Sequence, residues 1–330
     1  MSFSDIPKIE SDTFYLELAI RRAREECDKR NINVRDALLR TKKKSGIKVR
    51  MMEQVLTKSL HSILEKFPKL DELTPFYQDL IKLTLDYPYL KRSFGAIVWG
   101  LKKISEFSEI TNRKLYASKT PQDALLHHKR YMGRCASICK QLREHLVYLE
   151  DARRVMRSFP HIKSGLFTAC LVGFPNVGKS TLLNNITGSS AKTANYAFTT
   201  KSLNLGYSEF RHQKWQFIDT PGSLNRVEKM NDIEKQAYLA IKHVSNICVF
   251  VFDIQNEVEF ETQQKLLKQT QKIQKHCLVY LSKTDILPKA DIDEFLSQYP
   301  EASTSVSELL EKIYHLPVYK DWYKGQMSEK

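Results

Sequence analysis

Gly173-Phe174-Pro175-Asn176-Val177-Gly178-Lys179-Ser180 decides how the second half of this chain folds. A Gly-x-x-x-x-Gly-Lys-Ser loop between an apolar strand and a helix cradles phosphate oxygens with backbone N–H groups at the positive end of that helix. The context is present: residues 166–172 are apolar and a helical pattern begins at Lys179. A chance match in a glycine-containing turn would require the downstream elements to be coincidences as well. Pro175, Asn176, Val177, Gly178, Lys179, Ser180 and Thr181 are the expected nucleotide contacts of the loop. Lys179 is placed to neutralise the β- and γ-phosphates, and Ser180 to ligate Mg²⁺.

Downstream of the loop, strands alternate with helices. Strands are expected at 202–207, 215–218, 247–252 and 277–281, and helices at 233–244, 262–274 and near Ile292 and Val306. That order predicts a mainly parallel sheet covered on both faces. Asp219-Thr220-Pro221-Gly222 follows one of these strands. A carboxylate at a strand end can reach Mg²⁺, and the Gly222 N–H can meet a γ-phosphate. Between the two motifs, 196–201 reads Tyr-Ala-Phe-Thr-Thr-Lys. Thr200 is the expected second Mg²⁺ ligand, with Thr199 as the alternative; two β-branched residues entering a strand would read the same way.

The base is read at Ser282-Lys283-Thr284-Asp285. Asp285 can accept from guanine N1–H and the 2-amino group together, whereas adenine offers no such pair of donors. Lys283 is expected to lie along the base plane. Ser282 stands where GTP-binding proteins usually carry Asn, and a shorter hydroxyl is expected to lose the amide's bonds to base and phosphate loop. Ser303, within Ala302-Ser303-Thr304, is the candidate for a backbone N–H near guanine O6; the same stretch reads equally well as a cap for a helix at Val306.

The first half has a different texture. Helical patterns run over 13–29, 49–65, 75–85, 90–107 and 121–157, and only four of the eleven glycines fall there. Its 33 Lys/Arg against 20 Asp/Glu give residues 1–164 a net +13, whereas residues 165–330 carry +1. Much of the excess lies at Arg40-Thr41-Lys42-Lys43-Lys44-Ser45-Gly46-Ile47-Lys48-Val49-Arg50, expected as a connection between helices. Such charge confined to one domain points to phosphate contacts on RNA, although a cationic run is often only a solvated face. Phe94 and Trp99, in a segment flanked by basic pairs, are expected in the core. The fold expected is therefore an α-helical bundle domain (1–164) followed by an α/β P-loop domain (165–330) that ends in a helix or tail. The six cysteines show no metal-ligand spacing, and Cys135 and Cys139 are expected as packing residues. No apolar run is long enough to span a bilayer and no secretion signal opens the chain, so a soluble, cytoplasmic monomer with no membrane partner is expected.

Asn176 to Ser180, Tyr196 to Leu203 and Trp215 to Gly222 together resemble the nucleolar GTP-binding protein (Nog) family of Obg-related, translation-factor-class GTPases. So does the layout, a basic helical domain ahead of the GTPase domain, in a short form of archaeal type; nucleolar residence would apply only to a eukaryotic source. The resemblance implies a GTP-hydrolysing factor in large-subunit assembly, bound to ribosomal RNA and the pre-ribosomal particle, with GTP or GDP and Mg²⁺ as cofactors. Relatives with Asn in the phosphate loop use it to hold K⁺, which adds Asn176 to Lys179 on the phosphates and Thr200 on Mg²⁺ as the expected catalytic residues; alternatively, Asn176 satisfies the loop's own backbone. Ser223, where a water-orienting Gln often stands, predicts slow intrinsic hydrolysis. A second reading is a structural RNA-binding factor whose nucleotide is seldom turned over.

Overall fold

The structure is a computed structural model that describes residues 3–30, 32–188, 192–194, 203–220 and 232–328, with only the backbone at 192–194 and 232–234. Thr199, Thr200, Gly222 and Ser223 lie outside the described residues. The chain forms two compact units, Met1–Glu72 with Leu85–Arg157 and Leu73–Thr84 with Ser158–Lys330.

The first unit is built from α1 (Asp12–Lys29), α2 (Ala37–Lys66), α4 (Tyr87–Ala117) and α5 (Pro121–Arg157). α1, α2 and α4 each open on a side-chain cap, from Ser11, Asp36 and Asp86 respectively. Asp36 corrects one expectation. By accepting the Leu39 N–H it starts α2 at Ala37, so the cationic run from Arg40 to Arg50 is helix and not a connection. Val49, Met52, Leu56, Leu60 and Ile63 recur on one face of α2 and are buried, as are Leu90, Ile97 and Ile104 of α4 and Leu142 and Leu149 of α5. Cys135 and Cys139 join this core, and burial pushes their thiols up to about 11 and about 12. Trp99 does not join it: it is 38% exposed, while Phe94 is half-buried, its ring edge-on to Phe67 at 5.1 Å.

Glu150 of α5 fastens the N-terminal segment to this bundle. It accepts the Ile9 N–H at 3.0 Å and a fork from Arg153 at 2.7 and 2.8 Å, with Arg154 at 3.0 Å. Burial works against its charge, but these donors outweigh it and hold the carboxyl at about 2. The contribution is therefore complete above the ordinary carboxylate range near 4.5 and is lost as pH falls from there towards 2. Glu150→Gln should lower the stability of the helical unit by about 2 kcal/mol at pH 7 and by little at pH 2.5. Paired thermal melts at the two pH values check this.

In the second unit, β1 (Phe167–Val172) is buried along its whole length, as a parallel strand with neighbours on both sides should be. It is followed by α6 (Lys179–Thr187), β2 (Lys192–Ala194), β3 (Leu203–Phe210), β4 (Gln213–Asp219), α7 (Asp232–His243) and β5 (Ile247–Phe252). Then come α8 (Phe260–Ile273), β6 (Cys277–Leu281), α9 (Lys289–Gln298), α10 (Val306–His315) and α11 (Pro317–Ser328). The sheet order is β2-β3-β4-β1-β5-β6. β4, β1, β5 and β6 run parallel, and β3 alone is antiparallel to both its neighbours. α11 returns over β1, where Tyr319 meets Phe167 edge-on at 5.0 Å.

One helix of the N-terminal half belongs here too. α3 (Pro75–Thr84) buries Phe76, Leu80 and Ile81 and packs on α7. His243 at the end of α7 lies 3.0 Å from the Asp79 carboxylate. Tyr77 of α3 donates its hydroxyl to the Pro160 carbonyl at 2.7 Å and accepts the Ile162 N–H at 3.1 Å. The division into units thus departs from a single cut at residue 164, because the apolar face of α3 finds its partner in α7.

Candidate functional site

β1 delivers the chain to Gly173, whose φ of +152° and surroundings admit no side chain: a Cβ there would lie 2.6 Å from the Val251 carbonyl oxygen. The loop then turns through Asn176 (φ +63°) and Gly178 (φ +93°) into α6. Gly178 caps α6 without a side-chain hydrogen bond. An uncapped helix N-terminus at the end of a loop of this curvature is suited to an anion. Lys179 is buried, with its ammonium donating to the Phe174 carbonyl at 2.6 Å, so it is folded back over its own loop. Pro175, Asn176, Ser180 and Thr181 stand at the exposed mouth, and Val177 is fully buried beneath it.

Asp219 ends β4 in register with Leu171 of β1, which brings it beside the loop. The Ser180 hydroxyl donates to its carboxylate at 2.5 Å, and the Asn204 amide donates to the same oxygen at 3.2 Å. Thr220 fixes the strand end by donating its hydroxyl to the Leu171 carbonyl at 2.7 Å. A hydroxyl and a carboxylate converging beside a phosphate-type loop are the hard oxygen donors that Mg²⁺ prefers, so this donor set fits the metal. Asn204 escapes sequence reasoning because its place opposite Asp219 depends on the register of β3 against β4.

The third element departs from expectation in an informative way. Ser282 is buried, and its hydroxyl lies 2.7 Å from the Val177 carbonyl and 2.8 Å from that of Phe252. It therefore does tie the segment from Ser282 to Asp285 to the phosphate loop, so here a hydroxyl makes the loop contact expected only of an amide. The Gly178 backbone makes this possible by its closeness: a Cβ there would touch Ser282 Cβ at 3.4 Å. Lys283, at φ +56°, pairs its ammonium with the wholly buried Asp253 at 2.6 Å. Asp253 in turn accepts the Gln255 N–H at 3.0 Å. Asp253 was legible by the logic that found Asp219, an acid directly after an apolar parallel strand, but it had no motif to draw attention to it. Asn256, another residue not anticipated, donates to the Pro175 carbonyl at 3.3 Å. Asp285 is exposed, and no described residue donates to its carboxylate, which leaves both oxygens to accept a pair of donors.

Ser303 has no N–H to spare for a base, although Thr284 of the preceding motif donates to the Thr304 carbonyl beside it at 3.3 Å. Its N–H donates to the Val279 carbonyl and its own carbonyl accepts from Leu281, both at 2.9 Å, so it extends the sheet alongside β6. The next amide, Thr304 N–H, donates to the Glu308 carboxylate at 3.0 Å, while Ser305 accepts from Glu308 N–H at 3.3 Å. This is a reciprocal helix cap for α10, the alternative reading of the same stretch.

Comparison with known proteins agrees with both halves of the chain. A family model described as the NOG1 N-terminal helical domain matches residues 3–163, and one described as 50S ribosome-binding GTPase matches 168–283. An uncharacterised protein of Methanocaldococcus jannaschii is 31% identical over 86% of this chain and 81% of its own length. Nucleolar GTP-binding protein 1 of Saccharomyces cerevisiae is 33% identical over 78% of this chain but only 41% of its own length. The chain thus spans about two fifths of that relative. Among solved structures, a candidate nucleolar GTP-binding protein 1 from Plasmodium falciparum is 26% identical, covering 51% of this chain and 94% of that one, with a TM-score of 0.39.

Proposed function

Because this chain belongs to the nucleolar GTP-binding protein (Nog) family of P-loop GTPases, we propose that it is a GTP-driven switch in large ribosomal subunit assembly that grips ribosomal RNA through its helical unit. The observation that carries this reading is the state of the cationic run on α2. Arg40, Lys42, Lys43, Lys44, Lys48 and Arg50 form no ion pair with a carboxylate among the described residues, and residues 165–330 are nearly neutral. Cations left without counter-charges in one unit are an electrostatic footprint for phosphate.

At the nucleotide, Lys179 and the loop amides would hold the phosphates, Ser180 and Asp219 would hold Mg²⁺ with Thr200 as a further ligand, and Gly222 would face the γ-phosphate. Mg²⁺ supplies charge neutralisation between the β- and γ-phosphates. Asp285 would select guanine. Ser282 anchors this segment to the loop, and Lys283 is positioned by Asp253. Ser223 cannot orient water as a Gln does, which predicts slow hydrolysis unaided. Asn176 is assigned to K⁺: it is exposed, and its side chain makes no hydrogen bond to the loop backbone among the described residues. That argues against a purely structural role for it.

Single-turnover GTP hydrolysis measured in KCl and NaCl, with and without large-subunit RNA, tests the proposal. K⁺ and RNA should each raise the rate by roughly tenfold or more, by analogy with cationic groups supplied to other GTPases. Equal rates in the two salts would remove K⁺ from the mechanism. RNA binding with no change in rate would favour a structural factor that merely retains its nucleotide.

A further inference from the structure

A second face of α2, near its start and apart from the buried one, mixes apolar and cationic side chains. Leu39, Lys43, Ile47 and Arg50 follow one another at helical spacing, a stripe apart from the buried one of Ser45, Val49, Met52 and Leu56. Here the stripe opens into a groove of about 770 Å³, walled by the end of α1 and the last turn of α4. Leu39 stays 46% exposed along it, and Leu115 of α4 contributes to its apolar side. Its cations are Arg30, Lys42, Lys43 and Arg50, and among the described residues no acidic one lines it. Tyr116 stands at its edge, 88% exposed and the most exposed large apolar residue among those described. The ring is not on a loose end: Lys42 donates to the Tyr116 carbonyl at 2.8 Å, closing the C-terminus of α4 with a positive charge.

We propose that this groove binds a segment of single-stranded RNA, with an unpaired base stacked on Tyr116 and its flanking phosphates held by Lys42, Lys43 and Arg50. The proposal rests on the reading that the helical unit binds RNA, and it names where and in what form. The apolar side decides for single strands. A duplex keeps its base faces stacked and would engage only the cations, whereas a splayed nucleotide presents both a π-face for the ring and charge for the rim. Lys43 and Arg50 are two helical turns apart, about 10 Å, so they hold separate phosphates. Gly46 lies between them, and nothing within 4 Å would meet a Cβ there, so the groove floor is open at its centre.

The full-length protein can be titrated against a fluorescein-labelled 12-nucleotide oligo-U, a blunt 12-base-pair RNA duplex and a Glu-rich 12-residue peptide. The proposal expects oligo-U to bind best. Tyr116→Ala should weaken it roughly tenfold without changing the salt slope, and Tyr116→Phe should restore it. Lys43→Glu with Arg50→Glu should flatten the salt slope by about 1.4, the share of two phosphates on a single strand. Unchanged melting temperature and GTP affinity in each variant show that the fold is intact. Wild-type binding to RNA that Tyr116→Ala and the charge reversals leave untouched would overturn this site while sparing the broader reading. Failure of the wild type to bind any RNA would overturn both. Tighter binding of the duplex or of the acidic peptide would overturn the assignment to single strands.

Discussion

Lys179→Ala is expected to weaken GTP and GDP binding by at least about 100-fold, near 3 kcal/mol, without lowering the melting temperature of the nucleotide-free protein. The two readouts separate because Lys179 is a buried cation, and burying a charge works against the folded state. Its worth is realised only when phosphate is bound. Gly173→Ala gives the contrasting result. The added methyl would lie 2.6 Å from the Val251 carbonyl oxygen, an atom of the neighbouring parallel strand that cannot swing aside, and at a φ of +152° that Ala avoids. Affinity and melting temperature should then fall together. Calorimetric titration with GDP alongside thermal melts distinguishes the cases, and Lys179→Ala binding within threefold of wild type would mean that this loop does not hold the phosphates.

A fragment starting at residue 165 should fail to form a stable GTPase unit, and restoring residues 73–84 should rescue it. The GTPase motifs all lie after 165, so such a fragment looks sufficient from sequence. It lacks α3, however, whose Phe76, Leu80 and Ile81 are at most 2% exposed in the whole protein. Returning three such side chains and their partners on α7 to water costs on the order of 5 kcal/mol, as much as the total stability of many domains. The fragment also loses the Tyr77 contacts to Pro160 and Ile162. Joining 73–84 to residue 158 through a flexible linker should return a cooperative melt stabilised by GDP. A fragment 165–330 that melts as the full chain does would show that α3 is dispensable.

These cases show what the sequence could and could not convey. The loop from Gly173 to Ser180 was legible because its whole logic is local: two glycines, a lysine and a hydroxyl between a strand and a helix. Asp219 was legible as an acid ending an apolar strand. Asn204 was hidden because a partner across an antiparallel register has no signature along the chain. The pairing of the Ser303 N–H with Val279 is equally hidden, because a Ser/Thr stretch before a helix reads as a cap or as a base contact, and the strand partner and the Glu308 contact to Thr304 have no signature along the chain. The start of α2 is hard to see for a different reason. A run of lysines carries little apolar periodicity, and the informative residue was the cap Asp36, which precedes it. The pairing of α3 with α7 is not legible, because amphipathicity shows that a helix has a face to bury, without showing what covers it.

The placement of α3 also bears on the order of events during synthesis. Thr84 leaves the ribosome roughly 150 residues ahead of Asp232, where α7 begins. At ordinary elongation rates that interval is on the order of ten seconds, far longer than helices need to form and collapse. The bundle of α1, α2, α4 and α5 can close around its own core in that time, leaving α3 as an apolar helix with no partner. It must therefore be shielded, or exposed at a risk of wrong contacts, until α7 emerges.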